Sequence, residues 1–447
     1  MAVFFGTDGV RGLANTGKMT PTTMLRLGQV VGQYFASKSE GRASAVIGKD
    51  TRLSGDMIES ALIAGLTSMG IDVKCAGVIP TSGVSLMTKG LRADLGVMIT
   101  ASHNKFPDNG VKFFGPDGCK LSDAEEAEIE SLLEGAVAEG VASEKLGRVS
   151  SPEGLQARYI ELCKSTLPVG QDLSGLKIVV AAAHGAAFAT AATTLRELGA
   201  DEVISIGATP KGDNINAGCG STATDLLSET VVMKGADVGV ALDGDADRLI
   251  MCDEAGKIID GDQLLGLIAT SWKSQGRLRG NGLVATVMSN LGLERYLEAN
   301  DLKLFRTQVG DRHVAAKMRA DGFNVGGEQS GHLLMTEYSP TGDGTMAAIQ
   351  ILAEIKRQSR PASEVLDVFK PVPQILKNVR YSGESPMTHP KLISAIESAQ
   401  SDLAGQGRVL IRASGTEPLI RVMAEGDDSQ KVEAIVDSFV DLINGLA

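Results

Sequence analysis

The chain lacks most of what would tie it to an oxidising compartment, a membrane or a nucleic acid. Its five cysteines, Cys75, Cys119, Cys163, Cys219 and Cys252, are odd in number and scattered, with no Cys-x-x-Cys pair. That pattern argues against a disulfide framework and a thiolate zinc site, and suits reduced thiols. Positive charge is short: 43 Lys and Arg against 55 Asp and Glu give a net charge of -12. Nucleic acid and anionic membrane are therefore not expected as main partners. A small anionic substrate would need local clusters of Arg and Lys instead. Long apolar runs are missing too. The nearest, residues 178–195, contains His184, Gly185, Thr190, Thr193 and Thr194 and reads as strand, turn and helix. Asp8 and Arg11 stand too early for a secretory leader, so a cytoplasmic location is expected. Aromatics are few, and no segment is of low complexity.

What is present is most concentrated at Asp243-Gly244-Asp245-Ala246-Asp247-Arg248. Apolar runs on either side, Val238–Leu242 and Leu249–Met251, make this a tight acidic loop between two strands. Three carboxylates separated only by Gly and Ala repel unless a cation joins them. Oxygen ligands select a hard ion, and magnesium keeps positions open for water or a phosphate oxygen. An EF-hand would want Gly where Arg248 stands and helices where these strands stand, although Glu254 falls at its twelfth position. A solvated acidic turn and a phosphatase with Asp243 as nucleophile are the competing readings.

The 447 residues suffice for two to four domains. A unit of about 30 residues, strand–helix–strand, recurs from Ala45, from Lys177 and from Leu283, suggesting three related α/β domains in tandem. Boundaries are expected near 148–153, 254–261 and 370–373, dividing the chain into 1–152, 153–257, 258–370 and 371–447. Pro371 and Pro373 mark the last of them, and Ser122 with Glu125 forms a capping-box pattern before the first. The last part holds strands near 409–412 and 419–423 and a helix from Ser429.

Four further segments carry chemistry. Thr100-Ala101-Ser102-His103-Asn104 follows the apolar strand Leu95–Ile99, which puts Ser102 at an exposed strand end. A helix cap is the plain alternative, but Pro107, Asn109 and Gly110 follow. A hydrolase pairing of Ser102 with His103 is disfavoured, since neighbours on an extended chain face opposite ways and Gly-x-Ser-x-Gly is absent. A hairpin through Asn109-Gly110 would bring Lys112 back toward Ser102. On the Gly-rich loop 326–332, Glu328 and Ser330 suit sugar hydroxyls or an amine, and His332 is an acid, a base or a phosphate partner, or else a structural histidine. Arg412-Ala413-Ser414-Gly415-Thr416 with Arg421 is a phosphate cradle by type, or a solvated turn. Arg11 sits among three glycines in Phe5–Gly12, a weak signal alone.

Taken in order, from Phe5 to Arg421, these motifs resemble the α-D-phosphohexomutase family. The resemblance implies three tandem α/β domains with mixed sheets plus a smaller C-terminal α+β domain, heart-shaped around a central active-site cleft. It implies that Ser102 carries the phosphoryl group as phosphoserine and joins Asp243, Asp245 and Asp247 in holding Mg²⁺. Glu328 and Ser330 would read the sugar. Arg412, Ser414, Gly415, Thr416 and Arg421 would hold the phosphate that is not reacting. Arg11, Lys112 and His332 would assist the transfer, a lysine base requiring a depressed pKa. A sugar 1,6-bisphosphate would serve as activator, and a homodimer is suggested. The opening Phe5–Gly12 and Gln329, where sister enzymes usually carry Met, narrow the likeness to the amino-sugar branch. That branch interconverts glucosamine 6-phosphate and glucosamine 1-phosphate for UDP-N-acetylglucosamine and peptidoglycan synthesis, with glucose or mannose phosphate as the alternative substrates. One departure is Lys105, where the family usually has Pro after Ser-His-Asn. Turning the bisphosphate around would call for rotation of the last domain about Pro371–Pro373.

Overall fold

The computed structural model describes residues 4–6, 8–136, 139–382, 384–413 and 418–446. Among the described residues four sheets follow one another along the chain. The first has six strands in the order Val10–Leu13, Asp108–Phe114, Leu95–Ile99, Ser44–Lys49, Asp72–Val78, Val149–Ser150. The second orders Ile258–Ile259, Leu249–Asp253, Val238–Leu242, Lys177–Ala181 and Glu202–Ile206; the third orders Lys303–Thr307, Gly282–Thr286, Val325–Gly327 and Leu333–Met335. The fourth is an antiparallel sheet with Leu419–Gly426 between Gln374–Arg380 and Gly407–Ala413.

The expected repeat is present, and it is stricter than the sequence suggested. In each of the first three sheets a central strand pairs in parallel with the two strands that follow it. The later of these then turns back into an antiparallel partner. The turn between these last two strands is residues 100–107 in the first unit, 243–248 in the second and 328–332 in the third. Three of the chemical motifs thus occupy one topological position.

These strands are apolar on both faces, as parallel strands covered on both sides are. In the first sheet Val46, Met98 and Phe114 join a core shared with the second and third units, while Ala45, Ile47, Val97 and Ile99 face a core private to the first. Helix Gly344–Gln358 is buried without a break from Gly344 to Ile355 and lies within the shared core. Its cap, Asp343, accepts hydrogen bonds from Ser82 Oγ at 2.6 Å and Tyr159 Oη at 2.9 Å, side chains of the first and second units. The fourth unit has its own core, including Ile420, Val422, Val436 and Phe439.

One expectation is corrected. Asn109-Gly110 is not a hairpin turn: both residues lie inside strand Asp108–Phe114, where Gly12 pairs with Asn109 and Met98 with Lys112. The chain reverses earlier, over 100–107, and Gly110 is needed because a Cβ there would meet the carbonyl oxygens of Thr100 and Val10 at 2.6 Å. The second unit's helix begins at Thr190, after a turn in which Ala183 and His184 adopt positive φ of 52° and 50°. The segment carrying Pro371 and Pro373 is irregular, and Val372 is fixed to the third unit through Asn290, with both contacts at 3.0 Å. Among the described residues no helix is long and apolar enough to cross a membrane.

Helices Pro21–Lys38 and Gly55–Ser68 touch through glycines. A Cβ on Gly65 would sit 2.3 Å from Leu25 O. Gly65→Ala is expected to lower stability by about 1–3 kcal/mol, the cost of overpacking, measured by urea unfolding. Gly41→Ala, with nothing within 4 Å of its Cβ, should stay within about 0.5 kcal/mol of wild type.

Candidate active site

The loops of the first and second units meet face to face. Ser102 Oγ donates to Asp243 Oδ2 at 2.7 Å. The approach is close enough that a Cβ on Gly244 would lie 2.5 Å from Ser102 O, so glycine is required between the first two aspartates. Ser102 takes a left-handed φ of 51°, a strained conformation for a residue with a side chain. Several groups hold it there. Its amide donates to Thr100 Oγ1 at 2.9 Å, and its carbonyl accepts from Arg52 Nη2 at 2.9 Å and Asn216 Nδ2 at 2.8 Å. The buried Arg52 also donates to the carbonyls of Asn104, Lys105 and Asp108 and pairs with Asp50 at 2.9 Å. Lys105 therefore contributes its backbone to the loop, and the turn closes without the family's proline.

His103 corrects a sequence argument. Because the chain is not extended at Ser102, His103 Nδ1 comes within 3.4 Å of Ser102 Oγ. Burial and the nearby guanidinium groups of Arg248 and Arg11 push its pKa down to about 4, so the ring is neutral at pH 7.

Asp243, Asp245 and Asp247 are all buried, and each presents one oxygen within 4.8 Å of the others. Asp245 Oδ2 accepts from Thr81 Oγ1 at 2.5 Å and Lys112 Nζ at 2.9 Å, and Asp247 Oδ2 lies 3.1 Å from Lys112 Nζ. Oδ1 of Asp245 is buried without a hydrogen-bond partner, and Oδ1 of Asp247 has only the imidazole of His332, at 3.5 Å. Buried carboxylate oxygens left unpaired are costly, and three all-oxygen donors this close fit a hard divalent cation. Burial, Asp247 and Asp245 raise Asp243 well above the usual carboxylate range. Burial would raise Asp247 too, but Lys112 and His332 outweigh it and hold that carboxyl well below the usual range.

Lys112 is buried, 3.2 Å from Asp8 as well as bonded to the two aspartates. Burial favours its neutral form, yet Asp245, Asp247 and Asp8 prevail and hold its pKa well above the ordinary lysine value. A depressed pKa is thus corrected to a raised one: carboxylates, not cations, dominate its surroundings. His332 is buried with Nδ1 3.5 Å from Asp247 Oδ1 and Nε2 3.4 Å from Asp311 Oδ2. Burial opposes its charge, but Asp247 and Asp311 raise its pKa to about 9. Arg11 pairs with Asp8 at 2.5 Å.

Within the third loop Ser330 Oγ donates to Glu328 Oε2 at 3.3 Å, and Glu328 Oε1 accepts from Gly310 N at 3.0 Å. Gln329 donates its amide to Asp260 at 3.2 Å, the cap of helix Gly261–Ser274; its evident role is to seat the loop. Arg412 and Arg421 are direct cross-strand partners in the fourth sheet. Like charges so placed destabilise a sheet, and neither Nε has a hydrogen-bond partner, which is the arrangement an anion would complete. Ser414, Gly415 and Thr416 lie outside the described residues. Among the described residues no hydrogen bond or ion pair joins this pair directly to the Ser102 cluster. Sequence reasoning missed Asp8, Lys120, Arg248 and Asp311. Arg248 lay in the acidic motif itself, and its amide reaches Asp243 Oδ1 at 3.2 Å. Asp8 lay in the opening Phe5–Gly12 motif, and Lys120 and Asp311 carried no local signal.

Four family models match consecutive parts of the chain. They are phosphoglucomutase/phosphomannomutase alpha/beta/alpha domain I over 2–139, domain II over 157–256, domain III over 260–372 and the C-terminal domain over 376–442. A phosphoglucosamine mutase of Phenylobacterium zucineum is 56% identical over 445 residues, 99% of each chain. One of Granulibacter bethesdensis is 57% identical over 440 residues, covering 98% of this chain and 96% of that one. Among solved structures, a phosphoglucomutase/phosphomannomutase family protein of Burkholderia thailandensis superposes with a TM-score of 0.82 at 22% identity, over 99% and 97% of the two chains. An Aspergillus fumigatus N-acetylphosphoglucosamine mutase, solved with GlcNAc-6P and magnesium, gives 0.68 at 19% identity over 98% and 95%. These two show the fold. With four matches in family order and relatives alike from end to end, the chain belongs to the phosphoglucomutase/phosphomannomutase family.

Proposed function

We propose that this protein interconverts glucosamine 6-phosphate and glucosamine 1-phosphate through a phosphorylated Ser102 and a glucosamine 1,6-bisphosphate intermediate. The observation that carries the reading is Ser102 Oγ held at 2.7 Å against one of three buried, clustered aspartates. Relatives 56% and 57% identical bear the name phosphoglucosamine mutase, which favours the amino sugar over glucose or mannose.

In the forward direction the bond between phosphorus and Ser102 Oγ breaks as one forms to the sugar 1-oxygen. The sugar hydroxyl gives up a proton and Oγ regains one, so the step balances. Mg²⁺ held by Asp243, Asp245, Asp247 and a phosphate oxygen on Ser102 would supply positive charge to the transferring group, as in phosphoryl transfer generally. The chain's own cations, Lys112, Arg11 and Arg248, add fixed charge around the same loops, an electrostatic contribution that needs no rearrangement during reaction. Glu328 and Ser330 would read the sugar. Arg412, Ser414, Gly415, Thr416 and Arg421 would hold whichever phosphate is not reacting. After the bisphosphate turns around, its 6-phosphate returns to Ser102. Rotation of the fourth unit, which has a separate core, would loosen the site for that turn, and a sugar 1,6-bisphosphate would prime an unphosphorylated chain. A cytoplasmic homodimer supplying UDP-N-acetylglucosamine fits this reading.

Formation of glucosamine 1-phosphate should fall by more than about 10³-fold in Ser102→Ala, the scale of losing a nucleophile, with glucose and mannose phosphates as slower substrates of the wild type. Phosphate release in place of isomerisation, or an active Ser102→Ala enzyme, would return Asp243 to the role of nucleophile. Chelation of divalent ions should abolish turnover, and added Mg²⁺ should restore it. Arg421→Ala should raise KM by about 10–100-fold, the equivalent of one or two charge-assisted hydrogen bonds, as read from initial rates.

A further inference from the structure

Six side chains from three units close into a ring in which basic and acidic groups alternate. Lys112 Nζ lies 3.1 Å from Asp247, Asp247 lies 3.5 Å from His332, and His332 lies 3.4 Å from Asp311. Asp311 pairs with Lys120, Lys120 with Asp8, and Asp8 returns to Lys112 at 3.2 Å. The inner arc, Lys112–Asp247–His332, borders the aspartate cluster. The outer arc, Asp8–Lys120–Asp311, makes no hydrogen bond or ion pair to Ser102 or the three aspartates among the described residues, and the reaction proposed above makes no use of Lys120 or Asp311.

The outer arc is rigidly mounted. Lys120 forms a β-bridge to Phe114, at the end of the strand that carries Lys112. Asp311 is the first residue of helix Asp311–Asp321, whose cap Gly310 has φ 123° and donates its amide to Glu328 Oε1 at 3.0 Å. Asp311 therefore reaches His332 by its side chain, and Glu328 through the amide of the residue before it. Two side chains tie this corner of the third unit to the first unit: Lys120, only 15% exposed, holds Asp311, and Arg312 pairs with Asp123 and, at 3.1 Å, with Glu126.

We propose that Lys120 and Asp311 are positioning residues: their ion pair seats the start of helix Asp311–Asp321 against the first unit and so sets both His332 and Glu328 for the sugar phosphate. Lys120 works through Asp311, and Asp311 through the two groups that would meet substrate. The pair also lines a cavity of about 360 Å³ between the first and third units. Water can therefore solvate a carboxylate left behind, and the variants should fold.

The inference rests on the mutase reading for its assay, so turnover is measured with whichever hexose phosphate the wild type converts best. Lys120→Met and the near-isosteric Asp311→Asn are each expected to lower kcat/KM by about 10–100-fold, the scale of a misplacement near 1 Å, with the fall appearing in KM as well as kcat. Lys120→Arg, which keeps the charge, should stay within about threefold of wild type. Thermal midpoints should remain close to that of the wild type. Because the two residues act as one unit, the double variant should be no worse than the poorer single variant. Either single variant within twofold of wild type overturns the proposal. So do losses that multiply in the double variant, or a loss in Lys120→Arg as large as in Lys120→Met. If Lys120→Met does not fold, Asp311→Asn and Lys120→Arg decide by the same limits. A wild type that prefers glucose or mannose phosphate faults the amino-sugar reading and leaves this one standing, whereas a wild type inert toward every hexose phosphate overturns both.

Discussion

The repulsion among three buried aspartates is the constraint to which the rest of the site answers. Asp243, Asp245 and Asp247 sit on one short turn with their oxygens within 4.8 Å of one another. No group within that turn except Arg248 offers compensating charge. The remaining cations come from elsewhere: Lys112 from the first unit and His332 from the third. Docking of the units and electrostatic relief of the acidic loop are therefore one event. A pair of charges broken in such surroundings leaves the survivor uncompensated, which costs far more than loss of a surface pair. The same constraint accounts for the split behaviour of the carboxyl groups. Asp247, next to Lys112 and His332, is held ionised, while Asp243, next to Ser102, is pushed toward its protonated form.

Much of this was legible in the sequence, because its signals were local. The alternation of apolar strand and polar turn located the loops that carry Ser102, the three aspartates and Glu328, although Gly326 and Gly327, read as loop, lie in strand Val325–Gly327. Two of the fourth sheet's three strands and the last helix followed from the same periodicity, while Gln374–Arg380, just after Pro371 and Pro373, did not. Failures came where tertiary pairing overrode local preference. Asn109-Gly110 has the composition of a two-residue turn, yet it is drawn into a strand because Gly12 and the carbonyls of Thr100 and Val10 leave room only for glycine. His103 was assigned to the face opposite Ser102 on the assumption of an extended chain, and a single positive φ reverses that.

The outer half of the charged ring was not legible. Asp8, Lys120 and Asp311 are separated by more than a hundred residues at each step, and each is an ordinary surface residue by composition. Only the register of strand Asp108–Phe114 and the start of helix Asp311–Asp321 bring them together. Local sequence pattern specifies where a loop will be. It does not specify which distant charge will be aimed at it.

The placement of the three chemical motifs on the same hairpin of three successive units bears on how the protein is made. Synthesis from the first residue onward presents the serine first, the acidic turn more than 130 residues later, and the sugar loop with its histidine some 80 residues after that. A growing chain that has reached only the second unit holds a nucleophile and a cluster of carboxylates but not His332 or Glu328. Helix Gly344–Gln358, which fills the centre of the shared core, emerges later still. Competence thus arrives in a single late step of biosynthesis, and an incomplete chain on the ribosome has no assembled site with which to capture or waste a sugar phosphate.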